Sequence, residues 1–414
     1  MKSGTTRVRW PLICAALVAL SACSSGGNST TSSAAPEATA PPSSTTTAAD
    51  PLPIDAPGSL AILDNAGRVV VMNPNGSGAR VVASPETAYF QPIWSPDGSI
   101  IAAGVGEVDT PGLALIDASR GTVEVVATDQ PVFFAHWSSD ASRVAFLSNG
   151  VGGLLDMTVY DLDTSETALF GQGSPFYFSW SPDGDGLVSH VGVDVLDVTS
   201  QDGFVESLAA PGLFQAPQWT EAGIFHLGVE GGSQQLLLTD GDSIPLGIVS
   251  GRAMFTATAD GSRIALASLS EQDGVSARLQ SIPILPANRL IVLDVATGDW
   301  EIVSRNPRGA FFWSPGGEHL LIIERGEVAG TLEWSVWDGT ITSYGSFQPP
   351  AEFVGAFLPF FDQYAQSMTL WAPDGSAFAY PAVTDGVAGI WVQGVEAGAP
   401  VRVADGSWVS WSRD

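Results

Sequence analysis

Cysteine, lysine and histidine are almost missing from this chain of 414 residues. Its two cysteines are Cys14 and Cys23, so nothing beyond residue 23 can form a disulfide, and the bulk of the chain must hold itself by an apolar core. Lysine occurs once, as Lys2; 16 cations face 44 acids, for a formal net charge of −28. Such a surface excludes a nucleic-acid partner, which needs cationic contacts to phosphate, and it disfavours docking on anionic lipid headgroups. The bland reading of the charge is solubility; the functional one is attraction of cationic ligands. The four histidines, His136, His190, His226 and His319, fall at unrelated positions of the repeat described below, which is no metal-like spacing. They read as isolated surface or internally satisfied side chains. Gly-x-Ser-x-Gly, His-Glu-x-x-His and Asp-rich calcium loops are all missing, so no cofactor, metal or catalytic residue is expected. No segment keeps a helical apolar period.

What the chain does have begins at its start. Lys2, Arg7 and Arg9 precede an apolar run at 10–20, too short for a permanent membrane span. Leu20-Ser21-Ala22-Cys23 follows and resembles the lipobox of bacterial lipoproteins. That resemblance implies a signal peptide at 1–22 and a lipid on Cys23, which would hold the protein on the outer face of the cytoplasmic membrane or the cell surface. Loss of the three signal cations takes the charge to about −31. The lipidated Cys and a tether of Ser, Thr, Ala and Pro occupy 23–56, a composition that buries too little to offset ordering entropy. The remainder, 57–414, is long enough for one large β domain.

That domain carries a phrase repeated about every forty residues. Clean copies are Trp94-Ser95-Pro96-Asp97-Gly98 and Trp180-Ser181-Pro182-Asp183-Gly184. Trp313-Ser314-Pro315-Gly316-Gly317 and Trp371-Ala372-Pro373-Asp374-Gly375 stay close; Trp137-Ser138-Ser139-Asp140, Trp219-Thr220-Glu221-Ala222-Gly223 and Trp411-Ser412-Arg413-Asp414 have decayed further. Ala257-Thr258-Ala259-Asp260-Gly261 has lost the Trp. An Asp-Gly turn between two apolar runs is a hairpin signal, and a further run ending in Asp follows, as at Leu113-Ala114-Leu115-Ile116-Asp117. Four strands per unit make one propeller blade.

These residues resemble the WD40-like repeat of TolB-type β-propellers, a repeat also found in the propeller domains of prolyl-oligopeptidase relatives. The resemblance covers nearly all of 58–414 and implies an all-β propeller. Seven anchors open complete units. Strands at 60–63, 68–72 and 79–82 lack an innermost partner, and a lone strand ends at Trp411. Joined, they give an eighth blade shared between the chain ends, with seven blades as the alternative. No hydrolase domain accompanies the propeller, so peptidase chemistry does not carry over. The repeat residues themselves read as structural: Trp between blades, Pro and Asp-Gly in the turn.

Function is sought where the rhythm breaks. Aromatic residues just before the anchors, among them Tyr89, Phe134, Tyr177, Phe214 and Trp408, are candidates for the channel mouth, with packing as core the competing reading. Two units are stretched, at 270–288 and 347–367, and in propeller topology both insertions emerge on one face. The second is too aromatic for a disordered loop, and Phe353, Phe357, Leu358, Phe360, Phe361, Asp362 and Tyr364 are its candidate partner-binding residues, as a lid or a docking patch. The expectation is a lipid-anchored extracytoplasmic scaffold that binds an envelope or secreted protein or peptide. The alternative is a small-molecule or carbohydrate receptor, or a metal-dependent hydrolase or lyase, using channel-mouth acids such as Glu107, Asp109, Glu271, Asp273 and Asp362.

Overall fold

Each copy of the repeat folds first as a self-satisfied turn. Ser95 Oγ donates to Asp97 at 2.5 Å and accepts the Ile100 N–H at 3.0 Å, while Gly98 takes a left-handed φ of 66°. The same bonds recur at Ser181, Asp183 and Gly186, and at Thr258, Asp260 and Arg263. The hydroxyl bonds hold the Asp183 and Asp260 carboxyls below the usual carboxylate range. In the second unit the glycine position is Ala141, which still adopts a φ of 62°.

Four of the anchor tryptophans then tie their unit to the one before it. Indole N–H groups of Trp94, Trp180, Trp313 and Trp371 donate to the carbonyls of Ser410, His136, Thr256 and Phe312 at 3.0–3.2 Å. Every acceptor sits immediately before the anchor of the preceding unit. Thr256 precedes Ala257, so that unit keeps its register without the ring.

In this computed structural model the described residues are 54–106, 110–200, 205–208, 210–271, 282–396 and 398–413. The signal peptide, Cys23 and nearly all of the tether lie outside them. Eight antiparallel sheets follow one another along the chain. Blade 1 is Tyr89–Trp94, Ile100–Val105, Gly112–Asp117 and Val123–Ala127; blades 2 to 6 repeat that meander from Val132 to Phe347. Blade 8 pairs Trp408–Trp411 with Leu60–Leu63, in the register Leu60 to Trp411 and Leu63 to Trp408, so the two ends of the domain close the ring. The expected eight-blade ring with a shared blade is what forms.

Blade 7 departs from the expected complete unit. Its ladder has three strands, Ala377–Thr384, Val387–Gly394 and Val401–Asp405, and its innermost strand shrinks to a bridge between Trp371 and Phe378. The chain that would have built that strand is spent on the insertion before it. Second strands of the blades are buried on both faces, as in Ile101–Val105 and Leu320–Ile323, because sheets pack on either side; that is why they read as unbroken apolar runs. Outermost strands such as Val123–Ala127 are largely exposed.

Candidate functional site

The aromatic insertion does not lie over the ring. It enters it. A π-turn at Phe353–Phe357 and a 3₁₀ turn at Leu358–Phe360 lead into a short helix, α1, at Phe361–Ser367. This helix packs against the innermost strands of blades 2, 3, 5 and 6, so it stands in the central channel. Phe353, Phe357, Phe361, Asp362 and Tyr364 are all buried. Phe357 stacks on Phe312, and Phe361 meets Phe311 edge-on at 4.8 Å. Burying each such ring contributes roughly 2–3 kcal/mol, which suits a plug better than a lid.

Polar groups fix the helix to the channel wall. The Gln363 side-chain amide accepts the Phe178 N–H and donates to the Phe178 carbonyl, both at 2.8 Å, as a neighbouring strand would. Tyr364 Oη donates to Gln91 at 2.9 Å. Gln91 has a φ of 51° within a bulge of its strand, an unfavourable conformation that re-aims the side chain into the channel. Asp362 Oδ2 accepts the Ala216 N–H at 3.3 Å, and burial pushes this carboxyl up to about 6. Burial also raises the Tyr364 hydroxyl.

Of the seven candidate partner-binding residues, Phe353, Phe357, Phe361, Asp362 and Tyr364 are therefore interior and present no docking surface. Leu358 is half-buried, Phe360 stays 41% exposed and Val354 46%. Among the channel-mouth candidates, Phe134 packs edge-on to Tyr364 at 5.0 Å and Trp408 to Phe357 at 5.8 Å, so both line the channel and touch the plug. Tyr177 and Phe214 pair at 4.6 Å beside His190. Tyr89 belongs to the core between blades 8 and 1.

His136, His190 and His226 are buried rather than on the surface; burial lowers His136 to about 3 and His226 to about 4, so both are neutral near pH 7. Of the five channel-mouth acids, Glu107, Asp109 and Asp273 lie outside the described residues, Glu271 is exposed and Asp362 is in the plug. Among the described residues no three His, Cys, Asp or Glu side chains are placed to share a metal ion. Of the other insertion, 270–271 and 282–288 are described, and the latter stretch folds back on blade 4: Leu285 donates its N–H to the Ile248 carbonyl and is buried.

The plug fills only part of the channel. Between its C-terminal end and the repeat turns lies a cavity of about 440 Å³, floored by Ala365, Gln366 and Met368. It lies on the side of the plug away from the insertions. The third position of the repeat phrase rings it at every unit but that of Pro96: Ser139, Pro182, Glu221, Ala259, Pro315, Pro373 and Arg413. Glu221 and Arg413 are both accessible to solvent, although the channel around Arg413 desolvates its guanidinium and lowers it. Arg413 Nη2 donates to the Gln366 carbonyl at 3.3 Å, which holds the guanidinium against the plug. Reading the repeat as structure alone misses this ring. Its signal is there in the sequence, as departures from Pro at one position of the phrase.

No family profile and no curated protein matches the chain. Solved structures do, at identities that speak for the fold alone. A eukaryotic initiation factor superposes with a TM-score of 0.54 at 11% identity, over 86% of this chain and 99% of that one. A prolyl endopeptidase gives 0.50 at 13%, over 79% of this chain and 50% of that one. TolB from Acinetobacter baumannii gives 0.40 at 20% identity over 68% of this chain, which spans 61% of TolB. The fold defines the class: an eight-bladed β-propeller, here with its channel plugged by its own chain.

Proposed function

We propose that this protein is a lipid-anchored, extracytoplasmic binding propeller that docks a protein or peptide partner on the face bearing the insertions. One observation carries the reading. Val354 and Phe360 are exposed on turns whose other aromatic residues are buried, so two apolar side chains stand on a rigid base. Such pre-organised anchors lose little entropy on binding. The chain's net charge of −28 favours a cationic partner segment. Replacing both exposed anchors, Val354→Ser with Phe360→Ser, is expected to leave the buried plug folded, and the purified double variant to lose capture of the envelope partners that the wild type retains. Equal capture by a folded double variant would rule out this face.

The anchor belongs to the same reading, through Cys23 and its lipobox-like approach. Two acyl chains suffice for stable attachment, at about 0.8 kcal/mol per buried methylene. Cys23→Ser is expected to move the protein from the membrane fraction to the soluble exported fraction, and retention in the membrane would refute the lipid. A second reading, a small-molecule receptor, is favoured by the cavity beyond the plug.

A further inference from the structure

The cavity has a polarity that the repeat makes visible. In the intact phrase the third residue is Pro, as at Pro182, Pro315 and Pro373, which presents a neutral ring to the mouth. Decay of the phrase brings charge to this position twice, as Glu221 in blade 4 and Arg413 next to the innermost strand of blade 8. In a ring of eight, those blades are diametrically opposed. Among the described lining residues Arg413 is the one cation and Glu221 the one acid, His136 being neutral. Neither has an ion-pair partner among the described residues.

The body of the cavity between them is neutral. Trp219, Trp313, Trp371 and Phe312 contribute apolar wall, while Ser179, Thr258 and Ser314 contribute hydroxyls. A volume of about 440 Å³ lies within the range of small-ligand sites. A purely anionic ligand would meet the field of a chain at −28, and a purely cationic one would meet Arg413. A net-neutral dipole avoids both costs.

We propose that this cavity binds a short peptide with free ends, its α-carboxylate on Arg413 and its α-ammonium toward Glu221. A guanidinium fork matches a carboxylate with two parallel N–H donors, and the opposing acid sets the direction of the chain. This site lies beyond the plug from the docking face and stands or falls independently of it.

Calorimetric titration with trialanine, trialanine amide and N-acetyl-trialanine tests the assignment. Wild type is expected to bind trialanine saturably and each blocked derivative at least about tenfold more weakly. Arg413→Gln should bind trialanine and its amide equally, Arg413→Lys should restore part of the difference, and Glu221→Gln should erase the preference over the acetylated peptide. Both residues are accessible to solvent, and matching thermal denaturation confirms that the variants fold. Absence of saturable trialanine binding at about 10 mM would overturn the proposal, as would an undiminished carboxylate preference in Arg413→Gln.

Discussion

At the scale of the residue, this protein is a set of variations on one turn. Where the phrase is intact, hydroxyl, carboxylate and glycine satisfy one another, as at Ser181, Asp183 and Gly184. Where it has decayed, the cost is local. Ala141 holds a φ of 62° that glycine adopts freely and alanine does not. Ala141→Gly is therefore expected to stabilise the protein by about 1 kcal/mol in urea denaturation, although glycine usually weakens a fold through its unfolded-state entropy. Unchanged or reduced stability would mean that the turn relaxes around Ala141. The same decay has a second face, because Glu221 and Arg413 stand at a position that otherwise holds Pro, Ser or Ala.

At the scale of the element, the plug is the feature that sequence reading placed but did not orient. Its position, aromatic content and order were legible in the break of the repeat and in the Phe-rich run at 353–361. Its destination was not. Nothing in a local pattern says that the Gln363 amide will substitute for a strand partner of Phe178, because that bond depends on a channel built by distant blades. Nor does a helix of seven residues, Phe361–Ser367, show enough period to be seen. The reduced innermost strand of blade 7 follows from the same diversion of chain.

The plug also carries a titratable group with a consequence for stability. The Asp362 carboxyl, ordinarily near 3.8, is raised to about 6 by burial. A raised folded-state value means that no penalty exists below about pH 4, where the carboxyl is protonated folded or unfolded. The penalty grows as pH rises toward about 6 and stays constant above it, reaching at most about 3 kcal/mol. Asp362→Asn keeps an acceptor for the Ala216 N–H and removes the charge. The variant is expected to match wild type near pH 3.5 and to exceed it by up to that amount at neutral pH. A stability difference that does not vary across this window would contradict a buried, elevated carboxyl. The turn aspartates act in the opposite sense: the Asp183 and Asp260 carboxyls are lowered, so their contribution is present at neutral pH and lost in acid, below the ordinary carboxylate range.

At the scale of the whole molecule, the fold was the most legible part. Seven anchors that open units, three orphan strands before the first and one strand after the last unit define a closed ring, and the register of Leu60 on Trp411 completes it. The ring was readable because each blade repeats the same local chemistry. The contents of its channel were not, since they depend on contacts between residues far apart in sequence, such as Phe178 with Gln363. The indole bonds between successive blades and the plug at the hub make ring and helix one packed body.

Native-state hydrogen exchange tests that claim most directly. If α1 is the hub of the ring, the amides whose bonds it supports, including those of Phe178, Ala216 and Met368, should exchange only with the slowest core strands of the blades, through global unfolding. Exchange of those amides on the timescale of exposed loops, while the blade strands stay protected, would mean that the insertion does not plug the channel.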